Sequence, residues 1–340
     1  MNYTNPANLG IIPCPGSEAF TDEMLRHLKA HYKLKLKKVI GDLSTRYNED
    51  GGEVLRRVNF INDVINSPHV SQKQVDILHV PEFKIPTRFT CFANGEIKAE
   101  IVQSIRGKDL YIVQDVENRY PVSFNDGEMM RELSVNDHIM TLFVTVDAAK
   151  SAGAGRITLV LPVYPYSRQH RSKGREGATA GRLGQNLETL GVNRIITLDI
   201  HSREIGNSFM AMRMENLHAS YQIIRAITEC PDIWSEDFVV VSPDTGAVDR
   251  NKFYATALKK NLALLYKERN YSKITRDAAD NNISEIKLLG DVRDKTVFMA
   301  DDMIDTGGTL IAAAATLVTN NERHFGRVKG LNVVNWLNDR

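Results

Sequence analysis

Short apolar runs punctuate this chain at nearly regular intervals, and between them lie segments with the apolar spacing of helices. Leu9–Ile12, Phe89–Glu96, Leu110–Val113, Arg156–Val163, Arg194–Asp199, Phe238–Val241, Leu262–Leu265, Ile283–Leu289 and Val297–Ala300 read as strands. Between them, Thr21–Tyr32, Asn136–Ala152, Ala178–Leu190, Ala219–Thr228 and Lys252–Lys260 read as helices, with Ser134 or Asn136 near the second start and Gly153, Gly155 and Gly191 as stops. Asn94-Gly95 predicts a hairpin turn that returns through Ile97–Ile101. Apolar strands alternating with helices predict an α/β protein with mainly parallel sheets flanked by helices. Ligands are expected beyond the strands' C-terminal ends.

The alternation restarts near Asn216. The chain therefore reads as two similar α/β domains, 1–215 and 216–340. The polar stretch 42–80, with Asp50-Gly51-Gly52 as a turn, is taken as an insertion in the first. At 340 residues, two domains of ordinary size fit.

Composition narrows the field further. A hydrophobic content of 42% is enough for two cores, and 43 basic residues against 42 acidic ones leave no global field for nucleic acid or membrane. Cys14, Cys91 and Cys230 are scattered without metal-ligand spacing, so reduced thiols in a cytoplasmic protein are expected.

One loop carries the strongest chemical signal. After the apolar run at Val297–Ala300 come two adjacent carboxylates, Asp301 and Asp302, then Asp305-Thr306-Gly307-Gly308-Thr309, then an alanine-rich helix candidate from Leu310 to Leu317. Paired glycines let backbone N–H groups approach an anion, and a helix start favours negative charge. The acid pair can accept from sugar hydroxyls or hold a hydrated divalent cation. The plain alternative is an acidic surface turn with a glycine stop.

This loop resembles the phosphoribosyl-binding loop of the type I phosphoribosyltransferase fold. Five further segments occur in the order of the ribose-phosphate pyrophosphokinase family: FANGEI with RGKDLYIVQ, AGRITLVLPVYPYSRQHR, ITLDIHSREI, VVSPDTGAVDR, and KER before LLGDV and DDMIDTGGT. The resemblance runs from about Phe89 to about Leu317. It implies transfer of the diphosphoryl group of Mg-ATP to the 1-hydroxyl of ribose 5-phosphate, with release of AMP.

The resemblance also implies roles for particular residues. Asp301, Asp302, Asp305, Thr306, Gly307, Gly308 and Thr309 would hold ribose 5-phosphate. Phe92, Asn94, Glu96, Arg168 and Gln169 would hold ATP, the first three reaching a neighbouring subunit's adenine. His201 and Asp244 would take Mg²⁺, and Lys267 and Arg269 would be the flexible-loop cations that close over the transferring group.

Each assignment has a structural alternative. Phe92 is equally a core residue, His201 a strand-end histidine with a structural hydrogen bond, Lys267 and Arg269 a solvated charged loop. Arg250 is either a phosphate contact or a helix-start ion pair. Departures from the family pattern are Asn94 and His170 where Asp is usual, Ala247 where Gly is usual, and a tail after Val318 without the usual final strand. They motivate a second reading, a catalytically silent regulatory subunit of a synthetase assembly. A third, suggested by the loop alone, is a base phosphoribosyltransferase. The resemblance further implies a homo-oligomer.

Overall fold

The computed structural model describes residues 8–54, 56–57, 82–172, 174–229, 231–269, 283–302, 316–318 and 332–334. The chain divides into two compact units, residues 1–197 with 202–215, and residues 198–201 with 216–340.

The first unit contains β1 (Leu9–Pro13), α1 (Glu18–Tyr47), β2 (Thr87–Cys91), β3 (Ile97–Ile101), β4 (Asp109–Val113), β5 (Val122–Phe124) and β6 (Met129–Arg131). It continues through α2 (Val135–Ser151), β7 (Arg156–Leu161), α3 (Thr179–Thr189), β8 (Arg194–Leu198) and β9 (Arg213–Leu217), the last two reaching the unit boundary. Its main sheet has the order β1-β4-β7-β8-β9, with β1, β4, β7 and β8 parallel. Ile12, Leu110, Ile112, Leu159, Leu161 and Ile195 are fully buried, as strands covered on both faces require. The α2 start is a capping box: Ser134 Oγ accepts from Asp137 N–H, and the Asp137 carboxylate accepts from Ser134 N–H. The hairpin expected from Asn94-Gly95 is present as β2 and β3, paired from Thr87↔Ile101 to Cys91↔Ile97. Cys14 and Cys91 are free and buried, and burial pushes the Cys14 thiol up to about 12.

The second unit contains α4 (Ser220–Thr228), β10 (Phe238–Ser242), α5 (Val248–Leu258), β11 (Asn261–Arg269), β12 (Ile283–Leu289), β13 (Thr296–Phe298), β14 (Thr316–Val318) and β15 (Asn332–Val334). Its four-stranded sheet runs β12-β11-β10-β13, parallel except for β12. On β10, Phe238 and Val240 pack with Ile227, Tyr254, Ala255 and Ala300, while Val239 and Val241 pack with Ala263 on the other face. Among the described residues, no helix is long and apolar enough to cross a membrane.

Several expectations need correction. The first helix does not end at Tyr32 but runs to Tyr47, so residues 42–47 are helical, not an irregular insertion. Gly51 and Gly52 open a further helical segment, with Asp50 Oδ1 accepting from Gly52 N–H; the remainder of that stretch, 58–80, lies outside the described residues. The fifth helix begins at Val248, four residues before Lys252, and the strand placed at Leu262–Leu265 extends from Asn261 to Arg269. That extension has a tertiary cause, because β12 pairs antiparallel along it to Arg269↔Ile283. Thr316 and Leu317, read as helix, belong to β14, whose partner β15 supplies a strand in the tail where none was expected. The small hairpin β5-β6 and strand β9 had no signal strong enough to be read.

Candidate active site

In the second unit, strand ends and a buried asparagine assemble an acidic cluster. β10 and β13 are parallel neighbours, so the segments leaving their C-terminal ends emerge side by side. Asp244 follows the first, Asp301 and Asp302 the second. Asn251 of α5 is fully buried and bonds the strand exit reciprocally: its Nδ2 donates to Ala300 O (2.8 Å), and Ala300 N–H donates to its Oδ1 (2.9 Å). The acid pair thus leaves the sheet from a clamped residue.

His201, in the 198–201 segment of this unit, points Nδ1 at Asp302 Oδ2 across 2.7 Å. The carboxylate can only accept, so Nδ1 carries the proton and a cation on this ring would be held through Nε2. Arg250 Nη1 lies 3.6 Å from Asp302 Oδ1 and 4.0 Å from Asp301 Oδ1. Arg250 thus faces the acid couple, and both its expected roles, phosphate contact and helix-start ion pair, stay open. Asp244 Oδ1 accepts from Gly246 N–H (2.9 Å) and Ala247 N–H (3.0 Å). Ala247 has φ −91°, open to any L residue, so it carries no strain where glycine is usual.

The carboxylates of the pair titrate apart. Burial and the adjoining Asp302 carboxylate, with Asp244 behind, push Asp301 up to about 6. Burial also acts to raise Asp302. Its hydrogen bonds to Asp301 and His201 and the Arg250 charge outweigh that and hold it below the ordinary carboxylate value. Asp302 is 13% and Asp301 34% exposed. Mutual repulsion among Asp301, Asp302 and Asp244 is what a hard divalent cation relieves, and oxygen donors are its preferred ligands. Among the described residues no three His, Cys, Asp or Glu side chains converge into a complete ligand set.

Asp305, Thr306, Gly307, Gly308 and Thr309 lie outside the described residues. Lys267 and Arg269 lie in β11, their backbones paired to Ile286 and Ile283, with a register shift between Glu268 and Arg269. They were read as the start of a long loop; they end a strand instead.

The first unit places the nucleotide candidates on two exposed turns. Between β2 and β3, Phe92 N–H donates to Glu96 O and Gly95 N–H to Phe92 O, both 2.8 Å, with Gly95 at φ +93°. Phe92 is 48% exposed, so the core alternative fails. Asn94 Oδ1 accepts from Glu96 N–H (3.2 Å); an oxygen performs this task, so Asn replaces Asp there without loss to the turn. Asn125, absent from the sequence reading, brackets the same hairpin: Oδ1 accepts from Cys91 N–H (2.9 Å) and Nδ2 donates to Cys91 O (3.3 Å). Arg168 and Gln169 are exposed after β7, in a turn closed by Gln169 N–H to Tyr166 O (2.8 Å) with Tyr166 at φ +58°.

Asn251, Asn216 and His218 also went unread as site residues. Their only sequence signal was position, each one or two turns from a motif; polar residues at such places are usually surface.

An α/β protein with a phosphoribosyltransferase domain is the class these features define. Residues 63–191 match the N-terminal domain of ribose phosphate pyrophosphokinase, and residues 208–322 match the phosphoribosyl transferase domain. The first match begins at residue 63, inside the polar stretch 42–80. Ribose-phosphate pyrophosphokinase 2 of Schizosaccharomyces pombe is 36% identical over 68% of this chain and 65% of its own length. Ribose-phosphate pyrophosphokinase of Bacillus subtilis is 34% identical over 76% of this chain and 73% of its own length. The crystal structure of phosphoribosylpyrophosphate synthetase from Mycobacterium smegmatis superposes with a TM-score of 0.56 at 30% identity, covering 69% of this chain and 72% of that one. The chain belongs to the ribose-phosphate pyrophosphokinase family. Its match spans somewhat less than two thirds of the Schizosaccharomyces pombe relative.

Proposed function

We propose that this chain transfers the diphosphoryl group of Mg-ATP to the 1-hydroxyl of ribose 5-phosphate, forming phosphoribosyl pyrophosphate and AMP. The observation that carries it is the Asp301–Asp302 pair held at a strand exit, with His201 and Arg250 on Asp302, in a chain of this family.

The chemistry follows from that arrangement. The ribose hydroxyls donate to the acid pair, which fixes the sugar so that its 1-oxygen attacks the ATP β-phosphorus in line. The new bond is O1–Pβ, the bond from Pβ to the α,β-bridging oxygen breaks, AMP leaves as the anion with that oxygen, and the hydroxyl proton passes to solvent. Arg250 keeps Asp302 ionised as an acceptor, and His201 fixes its orientation. Lys267 and Arg269 supply positive charge to the transferring group. His201 and Asp244 would hold Mg²⁺, which when bound neutralises phosphate charge. Arg168 pairs with ATP phosphate, Gln169 and the Phe92-Asn94-Glu96 turn take the adenine, and the 305–309 loop wraps the 5-phosphate. Phe92, exposed at a hairpin tip, is available for adenine contact across a homo-oligomer, and the free buried thiols of Cys14 and Cys91 fit a protein of the cytoplasm.

The test is AMP release from Mg-ATP, with and without ribose 5-phosphate. Release is expected to depend on the sugar and to fall by roughly 10²-fold or more in Lys267→Ala. Well-folded protein that releases no sugar-dependent AMP would overturn the proposal in favour of a silent subunit. Base-dependent diphosphate release from phosphoribosyl pyrophosphate would overturn it in favour of a base phosphoribosyltransferase.

A further inference from the structure

The turn that presents His201 is held by a closed set of hydrogen bonds within the second unit. Asp199 has φ +43°, a left-handed backbone that a non-glycine residue keeps only when its surroundings hold it there. Its N–H donates to Leu217 O (2.8 Å), and its Oδ2 accepts from Ala219 N–H (3.1 Å). Its Oδ1 lies 2.8 Å from His218 Nδ1. The next residue, Ile200, donates its N–H to Asn216 Oδ1 (2.9 Å), and Asn216 Nδ2 lies 3.4 Å from His218 Nε2.

These bonds fix the donors. A carboxylate only accepts, so His218 Nδ1 bears hydrogen. Asn216 Oδ1 is committed to Ile200 N–H, so its Nδ2 faces the ring and His218 Nε2 accepts. His218 with hydrogen on Nδ1 and an accepting Nε2 satisfies both contacts at once. The ring spans Asp199 and Asn216, which between them grip the two residues immediately before His201.

We propose that His218 is a positioning residue for His201. Through Asp199 and Asn216 it holds the 199–201 turn in its left-handed conformation and so keeps His201 Nδ1 on Asp302. A merely packed histidine would show no such chain: His218 is 43% exposed, too open for packing to be its main task. The catalytic consequence rests on the proposed diphosphoryl transfer; the structural consequence does not.

The experiment uses the full chain and two readouts. The first is the imidazole ¹⁵N spectrum of His201, assigned by the signal missing from His201→Gln. Wild-type protein is expected to show His201 in one tautomer protonated at Nδ1. His218→Leu, similar in bulk without a donor, is expected to average the His201 tautomers. His218→Asn, whose amide nitrogen occupies the place of Nδ1, is expected to restore the single tautomer. The second readout is turnover. His218→Leu is expected to lower kcat by about 10- to 100-fold with KM for ribose 5-phosphate little changed, because misorientation costs rate more than binding. His218→Asn should recover most of it. A folded His218→Leu protein with the wild-type His201 spectrum overturns the proposal, as does His218→Asn behaving no better than Leu. If the wild-type chain releases no AMP, the function assigned above fails and the spectrum alone decides the positioning role.

Discussion

Asn251 and Ala300 exchange two hydrogen bonds, of 2.8 and 2.9 Å, as though the asparagine side chain were one more strand residue beside β13. A third bond, from Asn251 Nδ2 to Ala247 O at 2.9 Å, ties the same amide to the start of α5. One buried side chain therefore couples the turn after β10, which carries Asp244, to the exit of β13, which carries Asp301 and Asp302.

Replacing Asn251 by Leu strands the buried N–H and C=O of Ala300. An unsatisfied buried group costs roughly 1–3 kcal/mol. The expected loss of stability is about 2–4 kcal/mol in urea unfolding followed in the second unit, with ribose 5-phosphate affinity reduced in the protein that remains folded. Asn251→Asp, which keeps the acceptor, should lose less below pH 5 than above it.

Burial and the Asp302 carboxylate push Asp301 up to about 6, and in the proposed function the ribose hydroxyls need a carboxylate acceptor. Affinity for ribose 5-phosphate, followed by titration calorimetry, should therefore be steady above pH 7 and decline below about 6. The sugar's own phosphate titrates in that range too. Asp301→Asn shares that second contribution and lacks the first, so its profile should be the shallower of the two. Equal slopes in both proteins would remove Asp301 from sugar recognition. The raised value also means that Asp301 favours the fold when protonated, a contribution lost as pH rises from 3.8 through about 6 and weakened by its one-third exposure.

His138 carries the opposite sign in the first unit. Burial depresses it below 6.5, only partly offset by the Asn118 carbonyl 3.1 Å from its Nε2. Its Nδ1 accepts from Gln114 Nε2 at 3.0 Å. Below pH 6.5 the unfolded chain binds a proton that the folded one refuses. Stability is thus complete above 6.5 and lost as pH falls toward the folded value, by at most about 1.4 kcal/mol per pH unit. His138→Gln should flatten the profile between pH 5 and 6.5 in denaturation monitored by a first-unit probe. Asp115, raised by its own burial, contributes the reverse trend at the acid end and is common to both proteins.

Phe92 separates binding from stability. At 48% exposure its truncation to Ala should leave unfolding within about 0.5 kcal/mol of wild type. A ring that stacks on a base contributes roughly 1–3 kcal/mol, so ATP affinity should weaken about 5- to 100-fold. Unchanged ATP binding would assign the exposed ring to another contact.

Much of this fold is readable along the chain because the signals are local. Ser134 and Asp137 lie within one helical turn, and the Asn94-Gly95 turn closes bonds among neighbours, so capping and turn chemistry are written in consecutive residues. The buried strands β4, β7 and β10 are mostly apolar runs, and the order of motifs points to the family. Where the reading stopped short, a distant partner had intervened. β11 continues through Lys267 to Arg269 because β12, beyond residues 270–282, pairs with it. The chain at Thr316 extends because β15 lies beside it.

The sequence by itself determined the alternation of strands and helices, the chemistry available in each loop and the family. Tertiary structure decided which of those groups meet. His201 and Asp302 are 101 residues apart and touch at 2.7 Å. Asn251 and His218, two polar residues without a motif, became the clamp on Ala300 and the brace on Asp199. Propensity and turn geometry act over a few residues, whereas parallel pairing brings remote strand ends together, and only that convergence makes a shared proton, an ion pair or a hydrogen-bonded amide possible.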